Sequence, residues 1–484
     1  MDKVNRSRRE FLMLLGGLAI GTAVGYVIGS LPKPAPVTSP TPTPEKTIPP
    51  EIEEIRRKYA GTTIRVATYA GPESELLMYG LYRPFEELTG IRVIVETYDE
   101  PTLREKMLLD FRERTGYYDV VRVQFWHMPE YFINGWLEPL DPYIESSLIS
   151  EWLDLNQFPE RARNAFKYGG NLYVIPDCLL TSLSIYRKDI FENEGWSFPT
   201  TLDKYYELLN EFKKLKERGK YTDMYGTWGR GYPQFDAYGS ISGWAWAYGA
   251  KSLDEEYNPL IDSPEFTEAM TDWINMLREH GPPGQATIGW VKGGELYCAG
   301  AILMQTEVSG FGNYVNNPEK SSIVGKNGFS VAPIGPSNEH VQWFFSTGLG
   351  INKFSNKKEA AWAFIQWRSS AEAYRLEVEN NIRFDMPYRA AYTWDIHKKK
   401  AEELNVTGYV NTLPDAHAYA TAEHWPLIPQ FNEFAEIVAT EISNAIAGIK
   451  SVREALAEAQ TKTKRLLEET KDLIKALREA QASA

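Results

Sequence analysis

Residues 63–96, TIRVATYAGPESELLMYGLYRPFEELTGIRVIVE, decide the fold class. Thr63-Ile64-Arg65-Val66-Ala67-Thr68-Tyr69 alternates apolar and polar side chains, the period of a strand, and Ala70-Gly71-Pro72 then turns the chain. Residues 74–90 place apolar side chains at helical spacing and stop at Gly90, suited to a left-handed C-terminal cap. Residues 91–96 read as a second strand, Thr102-Leu103-Arg104-Glu105 fits a capping box that opens another helix, and residues 118–123 return to strand. This rhythm predicts an α/β protein with a mostly parallel sheet flanked by helices. Ligands of such sheets bind beyond the C-terminal strand ends, where Tyr69, Glu73 and Trp126 fall. Phe125 and Trp126 suit a core equally well.

Upstream, Ser7-Arg8-Arg9-Glu10-Phe11-Leu12 puts paired arginines before an apolar run, which resembles a twin-arginine export signal. Residues 11–31 carry no charge, and about 20 apolar residues suffice to cross a bilayer. The run ends in Gly29-Ser30-Leu31-Pro32 without a small-residue cleavage site, and no cysteine follows to take a lipid. Lys3, Arg6, Arg8 and Arg9 favour a cytoplasmic N-terminus and an external body. Residues 1–10 are therefore expected to be a cytoplasmic signal, 11–31 an uncleaved membrane anchor, with cleavage of the signal as the alternative, and 32–50 a Pro/Thr-rich stalk. A permanent anchor of this kind is archaeal in style.

Roughly 430 residues remain from Glu51 on, too many for one ordinary core, so two lobes are expected. The net charge is −13 and no basic stripe follows the anchor, which argues against nucleic acid as a partner. The six histidines and two cysteines show no metal-ligand spacing, so no metal or cofactor is expected. Cys178 and Cys298 are open to a single bridge or to two free thiols.

Further along, Gly169-Gly170-Asn171-Leu172-Tyr173-Val174-Ile175-Pro176, then Tyr186-Arg187-Lys188-Asp189-Ile190-Phe191, then Pro199-Thr200-Thr201 occur in order. Gly300-Ala301-Ile302-Leu303-Met304, Val331-Ala332-Pro333-Ile334-Gly335-Pro336, Glu359-Ala360-Ala361-Trp362-Ala363-Phe364 and Asp385-Met386-Pro387-Tyr388-Arg389 follow. Gly448-Ile449-Lys450-Ser451-Val452-Arg453-Glu454-Ala455-Leu456 closes the series, with Ser451 and Glu454 placed for a capping box. The ordered set resembles the extracellular solute-binding proteins of ABC importers, the family-one sugar binders, over roughly residues 60 to 470.

That resemblance implies a two-lobed, type II periplasmic-binding-protein fold with a ligand cleft between lobes and closure by hinge motion. It puts lobe one at 51–178 and 346–388, lobe two at 184–340 and 390–470, hinge strands at 177–183 and 345–348, and a helical C-terminal tail at 471–484. It implies no enzyme activity: a monomer outside the membrane captures a carbohydrate, expected to be an oligosaccharide, and hands it to an ABC permease.

A sugar site needs flat rings beside amides, carboxylates and hydroxyls. Aromatic residues make up 13% of the chain, and they cluster with glycines at Tyr225-Gly226-Thr227-Trp228-Gly229-Arg230-Gly231-Tyr232 and Gly243-Trp244-Ala245-Trp246-Ala247-Tyr248-Gly249. Glycine fills no volume, so Trp228, Trp244 and Trp246 are candidates for uncovered stacking surfaces; the alternation through Tyr248 equally suits one buried strand face. Glu73, Asp177 and Glu307 are the candidate polar contacts, and Tyr388 sits in the Pro-Tyr-Arg turn. Where sugar-binding relatives carry a Trp after the strand at 300–304, this chain has Glu307-Val308-Ser309-Gly310-Phe311, so the usual stacking ring is either missing or replaced by Phe311. Two alternatives stay open: the same fold binding a peptide, polyamine or iron chelate, and a surface-anchored glycoside hydrolase. Asn405-Val406-Thr407 has the pattern of an N-glycosylation acceptor, in keeping with an external location.

Overall fold

A computed structural model describes residues 49–71, 74–146 and 152–482. The expected signal and anchor, the stalk up to Ile48, and Glu73 lie outside the described residues. Among the described residues no helix is long and apolar enough to cross a membrane. The first described helix, Pro50–Tyr59, begins where the stalk was expected to end, with Ile52 and Ile55 turned into the core.

The first three strands follow the sequence reading closely. β1 (Thr63–Tyr69) pairs in parallel with β2 (Arg92–Tyr98) along its whole length and with β3 (Val120–Gln124) on its other side. The helix predicted at 74–90 is split into Glu75–Met78 and Arg83–Thr89, because Gly80 adopts φ +67° and Pro84 starts a new helix better than it continues one. Gly90 takes φ +71° and caps it as expected. The next helix starts earlier than its predicted capping box: Asp99 accepts the Thr102 amide at 3.0 Å and caps Glu100–Glu113.

A two-stranded hairpin, β4 (Lys167–Tyr168) and β5 (Asn171–Leu172), turns through Gly169 and Gly170 and feeds the longest strand, β6 (Val174–Arg187). β6 belongs to two half-sheets. Val174 to Thr181 pair with β9 (Phe344–Ile351), which in turn pairs with β3; Ser182 to Arg187 lie between β7 (Met304–Val308) and β8 (Asn327–Val331). The hinge segments expected at 177–183 and 345–348 thus fall on two adjacent strands. β6 leaves the first half and β9 returns to it, so side by side they run antiparallel. For the same reason the sheet is mixed: parallel through β1, β2 and β3, and antiparallel around β6, where a mostly parallel second lobe was expected.

Glycines in the aromatic-rich stretches serve close packing. Residues 238–246 form a helix, not a strand, and Trp244 is buried beside Tyr205 and Trp273, with ring centroids 6.2 and 6.5 Å away. A Cβ at Gly243 would stand 1.7 Å from the Gln342 carbonyl oxygen, and one at Gly239 2.8 Å from the Trp343 ring. Small residues there let a helix lie directly on the segment leading into β9. Cys178 and Cys298 are both buried and are not joined in a disulfide. The C-terminal residues expected as a tail form the helix Lys471–Ala482, which buries Ile474 and Leu477, and the Tyr257 hydroxyl donates to Gln481 Oε1 at 3.1 Å.

Because backbone and not a flexible side chain blocks the added methyl, Gly243→Ala is expected to lower the unfolding free energy by about 3 kcal/mol, the upper end for overpacking. Denaturant unfolding of the two proteins measures it; an unchanged midpoint would show that the helix does not sit this close to residue 342.

Candidate functional site

The carboxyl ends of β1, β3 and β7 open into one cavity of about 290 Å³ between the two half-sheets. Tyr69, Ala70 and Gly71 line it from the end of β1, Glu100 from a helix start and Trp126 from just after β3. Val308, Gly310, Phe311, Asn313 and Tyr314 follow β7 on the opposite side. Arg230, Phe235, Asp236, Trp290, Trp343 and Phe345 contribute further walls, and Leu180, Arg383 and Asp385 lie at its base beside β6.

Aromatic rings make much of this lining. Trp126 stacks on Trp425 with centroids 5.5 Å apart and an interplanar angle of 24°, and its neighbours include Phe345 at 5.3 Å and Phe235 at 6.1 Å. Its indole Nε1 is buried without a hydrogen-bond partner among the described residues. At the rim Trp290 is 42% exposed and lies 6.2 Å from the Phe311 ring. An apolar body with a few polar groups is the usual make-up of a small-molecule site.

Polar groups converge as two arginine–carboxylate arrangements. Arg230 donates Nε and Nη2 to the two oxygens of Glu307, each at 2.8 Å, and Nη1 to Asp236 Oδ2 at 3.1 Å, while its guanidinium covers the Trp343 ring at 4.4 Å. Burial works against the charge of Arg230, but Glu307 and Asp236 outweigh it and hold the guanidinium above its ordinary pKa. Glu307 is fully engaged, accepting also from Ser240 Oγ at 3.0 Å and from the Val308 amide at 2.8 Å. The Tyr232 hydroxyl donates to Asp236 Oδ2; burial, and then that carboxylate, raise its pKa. On the other side Arg383 Nε donates to Asp385 Oδ1 at 3.1 Å. The bonds to Arg230 and Tyr232 fall on Asp236 Oδ2 and that to Arg383 on Asp385 Oδ1, and Asp385 Oδ2 lies 3.9 Å from where a Cβ on Gly310 would stand.

Of the residues singled out from the sequence, Tyr69, Trp126 and Phe311 come together in the lining. Glu307 stands one layer behind, as the partner of Arg230. Trp228 is also one layer back: it meets Phe311 edge-on at 5.9 Å and donates Nε1 to Gln305 Oε1 at 2.6 Å, so its ring is covered instead of exposed. Asp177 is buried beneath the cavity, paired with Arg122 at 2.8 Å. Trp244 belongs to the core, Trp246 lies outside the lining with Nε1 3.4 Å from Glu339, and Tyr388 packs between Phe158 and Tyr374. The arginines, Asp236, Asp385, Trp290 and Trp343 escaped the sequence reading. Arg230 had a signal, since a charged residue flanked by Gly229 and Gly231 inside an aromatic stretch is hard to place in a core.

Comparison with known proteins places this geometry. A family model described as bacterial extracellular solute-binding protein matches residues 70–375. The chain is 26% identical over 414 residues to a mannitol-binding protein of Pseudomonas aeruginosa, spanning 83% of this chain and 92% of that one. It is 25% identical over 374 residues to an erythritol/L-threitol-binding protein of Mycolicibacterium smegmatis, spanning 74% and 76%. Among solved structures, an ABC transporter solute-binding protein from Agrobacterium radiobacter in complex with ribitol superposes with a TM-score of 0.72 at 26% identity, over 84% of this chain and 99% of that one. One from Agrobacterium vitis with bound D-mannitol gives 0.69 at 26% identity, over 85% and 99%.

Buried histidines around the site are expected to make the stability of the fold depend on pH. Burial pushes His417 down to about 4 and His424 to about 3; His424 Nδ1 lies 2.9 Å from Ser242 Oγ, and its ring packs on Trp425. Both are neutral in the folded protein near pH 7, while the unfolded chain titrates near 6.5. Between these values the unfolded state binds more protons, so stability that is complete above pH 6.5 is lost as the pH falls toward 4. Urea unfolding across this range is expected to show a loss on the order of 3 kcal/mol per histidine, and His424→Gln to flatten the profile.

Proposed function

The chain belongs to the bacterial extracellular solute-binding proteins, and from that premise we propose that it captures a neutral, polyhydroxylated solute of single-sugar size and delivers it to an ABC permease. The observation that carries this reading is the state of the charges in the cleft. Arg230 is already neutralised by Glu307 and Asp236, and Arg383 by Asp385, so neither guanidinium is left to hold an anionic ligand. What the cleft offers instead is carboxylate acceptors and flat rings, which suit hydroxyl donors and the C–H faces between them.

Size points the same way. A cavity of about 290 Å³ is at the lower edge of the roughly 300–1,000 Å³ common for ligand sites, so a short polyol or monosaccharide fits it better than the oligosaccharide expected from sequence. The polyol-binding relatives support that class. In this reading Asp236 and Asp385 accept hydroxyl hydrogens from opposite sides of the ligand, with Trp126 and Trp290 flanking its carbon skeleton. Tyr69 and Phe311 complete the pocket.

Lobe one at 51–178 and 346–388 and lobe two at 184–340 and 390–470 remain the proposed moving bodies. A ligand favours the closed state only through contacts that both make at once, which a carboxylate from each side supplies. The paired arginines and the apolar run at the N-terminus complete the proposal: an exported receptor, tethered outside the membrane and working as a monomer. No bond is made or broken.

Calorimetric titration with mannitol, ribitol, erythritol, glucose, maltotriose, amino acids and spermidine tests the reading, each mixture being assayed afterwards for breakdown. Heat is expected from a polyol or monosaccharide without breakdown, and Asp236→Asn is expected to weaken binding about tenfold, roughly 1.4 kcal/mol. Binding of spermidine or amino acids alone would discard the polyhydroxylated ligand, and cleavage of maltotriose would discard the receptor.

A further inference from the structure

We propose that Arg383 is the positioning residue that carries ligand occupancy from the cleft to the strands crossing between the two half-sheets, an inference that rests on the binding role assigned to Asp385. Arg383 is 1% exposed, and its three nitrogens go to different places. Nε donates to Asp385 Oδ1 at 3.1 Å, and Nη2 donates to the Asp385 carbonyl, which fixes the carboxylate that faces the cavity. Nη1 reaches the Asp177 carbonyl oxygen at 3.4 Å, and Nη2 also lies 3.7 Å from Cys178 Sγ, so the same guanidinium holds β6. A single planar fork therefore joins the ligand carboxylate to the crossing strand.

The point it grips on β6 is irregular. Pairing with β9 shifts register between Pro176 and Cys178, which makes Asp177 the residue of a bulge. Bulges re-aim a side chain, and this one turns the Asp177 carboxylate onto Arg122 of β3 at 2.8 Å and Thr347 of β9 at 3.2 Å. The loop that bears Arg383 is itself tied to the far side of the cleft, since the Phe384 amide donates to Asn313 Oδ1 at 3.3 Å, beyond β7. The outgoing strand, the returning strand and this loop thus meet at Asp177 and Arg383. A hydroxyl donating to Asp385 changes the load on Arg383, which passes it to the carbonyl of Asp177 and the thiol of Cys178. Lysine keeps the charge but has no planar fork with which to hold Asp385 and β6 at once.

Hydrogen exchange of the whole protein, read by mass spectrometry without ligand and with saturating ligand from the calorimetric panel, tests the coupling. In the wild-type protein ligand is expected to slow exchange around Asp236 and Asp385 and also at residues 174–181, the latter at least fivefold. In Arg383→Lys the cleft is still expected to be protected at saturation, with Kd about tenfold higher, but residues 174–181 lose their ligand response. A merely structural role would raise exchange of Arg383→Lys equally with and without ligand and leave the response in place, which would overturn the inference. Should the variant not fold, the wild-type readout decides alone, because a ligand that protects the cleft and not residues 174–181 equally overturns it. If no member of the panel binds, the functional reading fails, whereas the clamp still requires faster exchange at 174–181 in ligand-free Arg383→Lys than in wild type.

Discussion

The ion pair between Arg122 and Asp177 fastens the crossing strand β6 to the first half-sheet just before it leaves for the second. Both partners are withdrawn from water, and they come from the last parallel strand of one half-sheet and from the bulge of the strand that leads into the other. Around them Arg368 pairs with Glu377 at 2.6 Å and approaches Asp177 at 3.9 Å, and Arg383 pairs with Asp385, so three guanidinium groups meet three carboxylates. Burial raises the pKa of Glu377, the most withdrawn of these acids, and the arginines oppose it. Removing one member of a buried pair generally costs about 3–5 kcal/mol, because the survivor is left charged and unpaired. Such a cluster has few acceptable arrangements, which suits a place where chain segments must bend without separating.

The same economy governs the aromatic residues. A chain so rich in tryptophan and tyrosine would expose much apolar surface unless its elements came very close, and the glycines at 229, 239, 243 and 293 let rings and backbone approach to distances no Cβ allows. The rings left at the cleft are those that project from strand ends or from the rim, beyond the reach of helix packing. Trp126 is the transition between the two roles, stacked on Trp425 on one side and facing the cavity on the other.

These two features explain what sequence reading reached and what it missed. Local signals were legible: the alternation of β1, the cap at Gly90, and the reciprocal Ser451–Glu454 box. Strand ends also told where Tyr69 and Trp126 would gather, since the direction of a parallel strand assigns the side of its exit, whereas Phe311 was reached through the family resemblance. The Arg230–Glu307 pair was not legible, because its partners are 77 residues apart and meet only after β7 is in place. Trp244 was misread for the opposite reason: neighbouring glycines look like exposure in one dimension and become close packing in three. The antiparallel second half was hidden too, since only the adjacency of β6 and β9 fixes their relative direction.

The central claim is mechanical as much as chemical: a solute held by Asp236 on one side and Asp385 on the other draws two bodies together about β6 and β9. Small-angle X-ray scattering of the purified protein, before and after saturation with a ligand proven by calorimetry, measures it directly. The account predicts a smaller radius of gyration with ligand, restored when the ligand is dialysed away; an unchanged radius with the site demonstrably full would contradict it.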